Sequence, residues 1–215
     1  DWYLSVNLNS GSKDGLSDHL LPGLTPTGVP QNLRDTVFPF TYNNFDEIKA
    51  LVDEKNIGVI KMEVVRNLGP ENGFLKKVRQ LATDNGIVLI FDECTSGFRE
   101  TFGGIHKKYD VEPDIAMFGK ALGNGYAITA VLGRRDVMEA AQNTFISSTF
   151  WTERIGPTAA LKALEVMERE RTWETITQTG SKIRAGIEMV AGRHQLDITS
   201  WGLQALTGYS FNSKH

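Results

Sequence analysis

Two residues whose types and settings invite chemistry stand at the ends of apolar runs. Val88-Leu89-Ile90-Phe91 closes on Asp92-Glu93, and Met117-Phe118-Gly119 leads into Lys120 and the turn Ala121-Leu122-Gly123-Asn124-Gly125. An apolar run of this length bounded by charge reads as a strand covered on both faces, and in parallel α/β sheets ligands bind at such strand ends. The acid and the amine are therefore expected to face one crevice. There a carboxylate can hold a protonated heterocyclic nitrogen, while a lysine partly removed from water loses basicity and becomes a nucleophile for carbonyls. Each residue alone also has a plainer reading, since a strand-end Asp often caps the next helix and a Lys after Gly is usually a solvated loop residue.

Together the two groups are the working equipment of pyridoxal phosphate chemistry. The sequence Leu89-Ile90-Phe91-Asp92-Glu93-Cys94-Thr95-Ser96-Gly97-Phe98-Arg99, followed by Asp114-Ile115-Ala116-Met117-Phe118-Gly119-Lys120-Ala121-Leu122-Gly123-Asn124-Gly125, resembles the signature of the class III aminotransferases. Within that class it is most similar to the branch containing glutamate-1-semialdehyde aminomutase, and the resemblance extends over nearly all of the chain. It implies a three-layer α/β/α fold with a mostly parallel sheet, the aspartate aminotransferase-like large domain of fold type I, over residues 1–170. Residues 171–215 would then be the linking helix and the beginning of a C-terminal α+β small domain. Members of the family are roughly twice as long and carry a phosphate-cradling Gly-Ser/Thr loop and a ring-stacking aromatic upstream. The chain is accordingly expected to be an internal fragment, starting without Met and stopping soon after a strand begins at Thr207-Gly208-Tyr209-Ser210-Phe211.

By that resemblance Lys120 is the Schiff-base lysine, which also moves the proton between substrate and cofactor carbons, and Asp92 keeps the pyridine nitrogen protonated. Cys94 stands where the family usually has Val against the ring; an inert buried thiol is the plainer reading. Thr152, five residues before Pro157, corresponds to the threonine that reaches the phosphate held by the neighbouring subunit, with Thr149 as the alternative. Glu153-Arg154-Ile155 departs there from the family's Gly-Asn-rich turn. Glu63 corresponds to the acid of a Glu-Pro motif in which Val64 replaces the proline, and Asn67 lies where substrate-side residues are often found. From the residues alone, Glu63 is more simply a strand-end partner of Arg66, and Arg99 is structural. The resemblance further implies a homodimer with a shared site, acting on a small-molecule amino donor and a carbonyl acceptor.

The elements that must position these groups follow from apolar periodicity. Asn44 with Glu47 three residues on opens a helix over 44–54, and residues 74–83 repeat the helical spacing up to a stop at Asn85-Gly86. Strands are expected over 57–63, 87–91, 114–118 and 127–132, and their alternation with helices predicts right-handed crossovers and a largely parallel sheet. Residues 158–169 and 173–190 read as helix, and by the family resemblance 196–211 would contribute strands to the small domain. Residues 5–44, rich in Gly, Pro, Asn, Ser and Thr, read as a long loop. Its Gly-Ser-Lys patch at residues 9–15 lacks the strand and helix that would make it a phosphate cradle.

Composition sets outer bounds. The 215 residues allow one good-sized domain or a domain and part of another, and a formal net charge of -3 gives no electrostatic case for nucleic acid. A single cysteine excludes an internal disulfide and agrees with a reducing cytosol, so a cytoplasmic location is expected. No apolar run reaches the roughly 20 residues of a membrane helix. His19, His106, His194 and His215 are scattered without acids at ligand spacing, which argues against a metal site. Three alternatives stay open beside amino-group transfer: another reaction of the same cofactor, an inactive dimerisation module of the same fold, and a nucleotide-binding α/β domain. The last needs a Gly-rich turn directly after a strand, and the sequence has none.

Overall fold

The computed structural model describes residues 2–8 and 24–212, and the chain divides into two units, Asp1–Asn56 and Ile57–His215. In the first unit α1 (Phe45–Glu54) is capped by Asn44, whose side-chain oxygen accepts from the Glu47 N–H at 3.3 Å. Glu47 itself accepts from the Thr41 N–H at 2.8 Å, so the acid reaches past the cap into the preceding loop. The Gly-Ser-Lys patch at residues 9–15 lies outside the described residues.

The second unit is built on β1 (Val59–Glu63), α2 (Phe74–Asp84), β2 (Val88–Asp92) and β3 (Ile115–Phe118), which make a parallel sheet in the order β1-β2-β3. Burial of Phe74, Leu75, Val78, Leu81 and Ala82 shows that α2 lays one stripe against the core. It ends at Asn85, followed by Gly86 in the left-handed region (φ 65°), where the sequence places its stop. On β2, Leu89 and Phe91 are fully buried, whereas Val88, Ile90 and Asp92 are half-buried. The strand is thus covered completely on one face only, against the expectation of two. At its base the buried Asp114 carboxylate accepts from the Leu89 N–H, from Arg79 at 2.8 Å and from Arg134 at 2.9 Å, tying the edge of the sheet to α2.

The fourth strand corrects the sequence reading. β4 (Ala130–Gly133) is shorter than 127–132 and pairs antiparallel with β3, Phe118 opposite Ala130. The intervening chain, residues 119–129, holds a single 3-10 turn, Lys120–Leu122, and is too short for the crossover that a parallel neighbour requires. The sheet stays mostly parallel, with one antiparallel edge.

After β4 come α3 (Arg135–Met138), α4 (Ile155–Glu170) and α5 (Thr172–Arg193), the last two separated by Arg171 in the left-handed conformation (φ 49°). α4 begins earlier than the expected residue 158 because the Glu153 carboxylate accepts from the N–H groups of Ile155 and Gly156 and satisfies the helix start. β5 (Ile198–Trp201) and β6 (Gly208–Phe211) form a separate antiparallel sheet. Its connection packs on α5 at Gly180, where a Cβ would stand 1.8 Å from the Gln204 carbonyl oxygen. Arg184 of α5 fixes the same connection through Thr207 Oγ1 at 2.6 Å and the carbonyls of Trp201, Gly202 and Leu203.

Candidate active site

Parallel pairing brings the polar strand ends together. Glu63 ends β1 directly opposite Asp92, which ends β2, and Lys120 follows β3 across Gly119. All three lie at the carboxyl edge of the sheet, where an α/β fold places its ligands.

The Asp92 carboxylate is bonded at both oxygens. Oδ2 accepts from Lys61 Nζ at 2.8 Å and Oδ1 from the Cys94 N–H at 3.1 Å. Burial alone would raise its proton affinity, but the Lys61 ammonium and the Cys94 N–H together outweigh burial and hold the carboxyl below its usual range. Asp92 is therefore an anion at neutral pH. Glu63 goes the other way: burial pushes its carboxyl up, against the opposing pull of Arg66 at 3.5 Å. Asp92 raises it further, while Lys120 and Lys61 pull it down, which marks these four side chains as one electrostatic cluster. The expected Glu63–Arg66 pair is present.

Lys120 is presented by a tight turn. Its backbone is in the left-handed region (φ 44°), a conformation that costs a β-carbon residue about 1 to 2 kcal/mol. The turn closes through Leu122 N–H to Gly119 O at 3.0 Å and Asn124 N–H to Lys120 O at 3.1 Å. Gly123 is required in it, since a Cβ there would stand 2.1 Å from the Tyr126 carbonyl oxygen. Leu122 anchors the turn in a buried cluster with Ala116, Phe118 and Ala160, the last from α4. The Lys120 side chain donates from Nζ to Thr95 Oγ1 at 2.7 Å.

Cys94 is a half-buried free thiol next to this turn, and a Cβ on Gly119 would meet its Sγ at 3.3 Å. Burial pushes the thiol up and the Asp92 charge adds to this, so Cys94 stays protonated at neutral pH and presents a small, nearly apolar surface. The backbone that carries Cys94 and Thr95 is fixed from below by Glu93. This fully buried carboxylate accepts from Ser96 Oγ at 2.5 Å, His106 N–H at 3.0 Å and His106 Nδ1 at 2.8 Å. Those bonds outweigh the burial that would otherwise raise its proton affinity, and the carboxyl is held low. Arg99 donates to the Thr95 carbonyl at 3.4 Å, in keeping with a structural role.

The remaining candidates stand apart. Thr149 and Thr152 are exposed in the turn that precedes α4. Asn67 is exposed, and its carbonyl accepts from the Gly202 N–H at 3.2 Å, linking it to the β5–β6 connection. A concavity of ≈ 840 Å³ opens between the lysine turn, α4 and α5, but neither Asp92 nor Lys120 lines it. His19 and His215 lie outside the described residues, and no group of three or more His, Cys, Asp or Glu side chains suited to a metal occurs among the described ones. No helix among them is long and apolar enough to cross a membrane.

Sequence reasoning missed Lys61, Thr95 and the Glu93–His106 pair. Lys61 had a signal, being the only charge in Val59-Ile60-Lys61-Met62 and two residues before Glu63, hence on the same strand face. Thr95 and His106 had none, because their partners come from contacts across 25 and 13 residues.

The donor set fits pyridoxal phosphate at its ring: an ionised carboxylate for the nitrogen, a primary amine two residues past the neighbouring strand, and a small thiol beside both. At the α4 start, by contrast, the N–H groups that would suit a phosphate are taken by the Glu153 carboxylate.

Comparison with known proteins agrees. Residues 43–203 match the family model described as aminotransferase class-III. A 3-aminobutyryl-CoA aminotransferase from Cloacimonas acidaminovorans (strain Evry) is 38% identical over 184 residues, which cover 81% of this chain and 44% of that protein. The chain thus spans less than half the length of this curated relative. FumI of Sphingopyxis sp. MTA144, solved in its PLP internal aldimine form, superimposes with a TM-score of 0.83 at 23% identity over 99% of this chain and 54% of its own. An omega-transaminase from Sphaerobacter thermophilus does so with 0.75 at 26% identity over 83% and 43%. From the strand-end acid, the lysine turn and these matches together, the chain belongs to the class III aminotransferases.

Proposed function

We propose that this chain carries the lysine-bearing face of a pyridoxal phosphate-dependent aminotransferase that moves an amino group from a small-molecule donor to a carbonyl acceptor. The observation that carries the reading is the pairing of an ionised Asp92 at the end of β2 with Lys120 just beyond β3. When bound, the cofactor supplies an electron sink for a carbanion on the substrate. Asp92 would accept from its ring nitrogen and favour the protonated ring. Lys120 would hold the cofactor's aldehyde and, when free, would carry the proton at Nζ, whose acceptor in this structure is Thr95 Oγ1. Cys94 would pack against the ring, and Thr152 of a second copy would reach the phosphate. Glu63 and Asn67 are proposed on the substrate side. The half-buried free thiol of Cys94 supports a cytoplasmic protein.

The relative named for 3-aminobutyryl-CoA makes a β-amino acyl thioester the first donor to assay. An intramolecular transfer, as in an aminomutase, is the second reading, favoured by the motif at residues 89–99 and 114–125. Recovery of a positional isomer from one amino compound, with no second carbonyl substrate, would select it.

The test is an absorbance scan of the full-length protein with pyridoxal phosphate, expected to give a visible band that borohydride removes. Without the band, an inactive module is the better account. Asp92→Asn should keep the wild-type circular dichroism, because Asn can still accept from the Cys94 N–H. The half-reaction with an amino donor should slow on the order of a hundred- to a thousandfold, as when a preorganised polar partner of a developing charge is removed. Equal rates would reduce Asp92 to a turn-forming residue.

A further inference from the structure

Lys61 is a charge in an otherwise apolar strand, and it does not point idly into solvent. Its Nζ lies 2.8 Å from Asp92 Oδ2, with Lys61 half exposed and the Asp92 side chain only 18% exposed. The register explains the reach. Lys61 is opposite Ile90 on β2, two residues before the Glu63–Asp92 pair, and alternation puts Lys61 and Glu63 on one face of β1. Asp92 therefore has a cationic partner of its own before any ligand arrives.

Any second cation placed on Asp92 must share the carboxylate. Of the groups around it, Glu63 from β1 is biased toward its neutral form by burial, Cys94 after β2 is a thiol, and Lys120 after β3 is engaged with Thr95. The charge balance at Asp92 is thus set by Lys61. We infer that Lys61 is a positioning residue whose ammonium orients the Asp92 carboxylate and shares it with the cofactor's ring nitrogen, lowering that nitrogen's proton affinity below the value Asp92 alone would give. Such sharing weakens the electron sink and restrains side reactions of the carbanion, at some cost in rate. The inference rests on pyridoxal phosphate binding at Asp92 and Lys120.

The experiment uses the full-length protein loaded with ring-15N pyridoxal phosphate and follows the nitrogen shift by NMR between about pH 5 and pH 11, a range that spans ordinary histidine and lysine titrations. Wild type is compared with Lys61→Met, Lys61→Gln and Lys61→Arg. Lys61 is half exposed, so all three should melt near the wild-type temperature, and either neutral variant suffices if the other misfolds. Loss of the charge should raise the ring nitrogen's proton affinity by about tenfold, the effect of one charge at close range. Lys61→Arg should restore the wild-type titration. An unchanged or lowered affinity in any neutral variant that folds overturns the inference and leaves the proposed function standing. If wild type forms no visible band with the cofactor, the functional reading fails and takes the inference with it.

Discussion

At the scale of single residues, chemistry and stability pull against each other at Lys120. Its left-handed backbone (φ 44°) is a conformation that glycine adopts freely and residues with a β-carbon do not, yet only lysine brings an amine to Thr95 and the Asp92 crevice. Lys120→Gly should therefore be more stable to urea than Lys120→Ala by about 1 kcal/mol, since both lose the amine but only one relieves the strain. A more stable alanine variant would show that the turn imposes no strain. Asp92 and Lys120 stood out in the sequence as candidates because each closes an apolar run, whereas Cys94 and Glu63 were reached only through the resemblance to the family. Lys61 and Thr95 were not read as site residues. Their meaning depends on which strands pair and in what register, which the spacing of apolar residues does not encode.

At the scale of elements, two buried carboxylates hold the chain in shape around those residues. Glu93 fixes the start of the connection after β2 through Ser96 and His106, and Asp114 fixes its end through Leu89, Arg79 and Arg134. Burial alone would raise the Asp114 carboxyl, but the Leu89 N–H and the two guanidiniums hold it below the usual range. A depressed carboxyl stabilises the fold above its unfolded value, about 3.9, and that stabilisation is lost as pH falls through the folded value. Asp114→Asn should cost about 3 kcal/mol at neutral pH, the low end for breaking a buried ion pair because the Arg134 partner is largely exposed. The gap to wild type in thermal melts should close below about pH 4; a gap that is constant with pH would mean the loss is one of packing. α1, α2 and the first three strands were readable from their apolar period, with Asn44 marking the start of α1 and Gly86 the stop of α2, whereas the short α3 was not read and α4 starts earlier than expected. The direction of β4 was not, since its residues look the same in either orientation and only the short link from β3 decides it.

At the scale of the whole molecule, large rings stand in solvent around residue 150. Phe145 is 97% exposed, Phe150 75% and Trp151 68%, more apolar surface than one loop of a monomer ordinarily presents. We expect a two-fold homodimer in which Thr152, next to this patch, reaches the phosphate bound by the other copy. Light scattering on the full-length protein should give a dimer, and cofactor affinity should fall as dilution separates it. Thr152→Ala should weaken cofactor binding where Thr149→Ala does not. A monomer that binds as tightly as the dimer would remove the shared site, and the opposite order of the two threonines would move the contact to Thr149. A division into a cofactor domain over 1–170 and a linking helix with the start of a second domain over 171–215 stays a proposal, since the compact unit Ile57–His215 runs through Arg171, the left-handed residue between α4 and α5.

The presence of two amines near Asp92 makes one measurement decisive. Borohydride reduction of the full-length protein loaded with pyridoxal phosphate, followed by peptide mass mapping, distinguishes Lys120 from Lys61, which is bonded to Asp92, and from Lys107, whose amine is bound to the Phe102 carbonyl at 3.0 Å. The reduced cofactor should be found on the peptide containing Lys120, and an adduct on Lys61 or Lys107 would contradict the account.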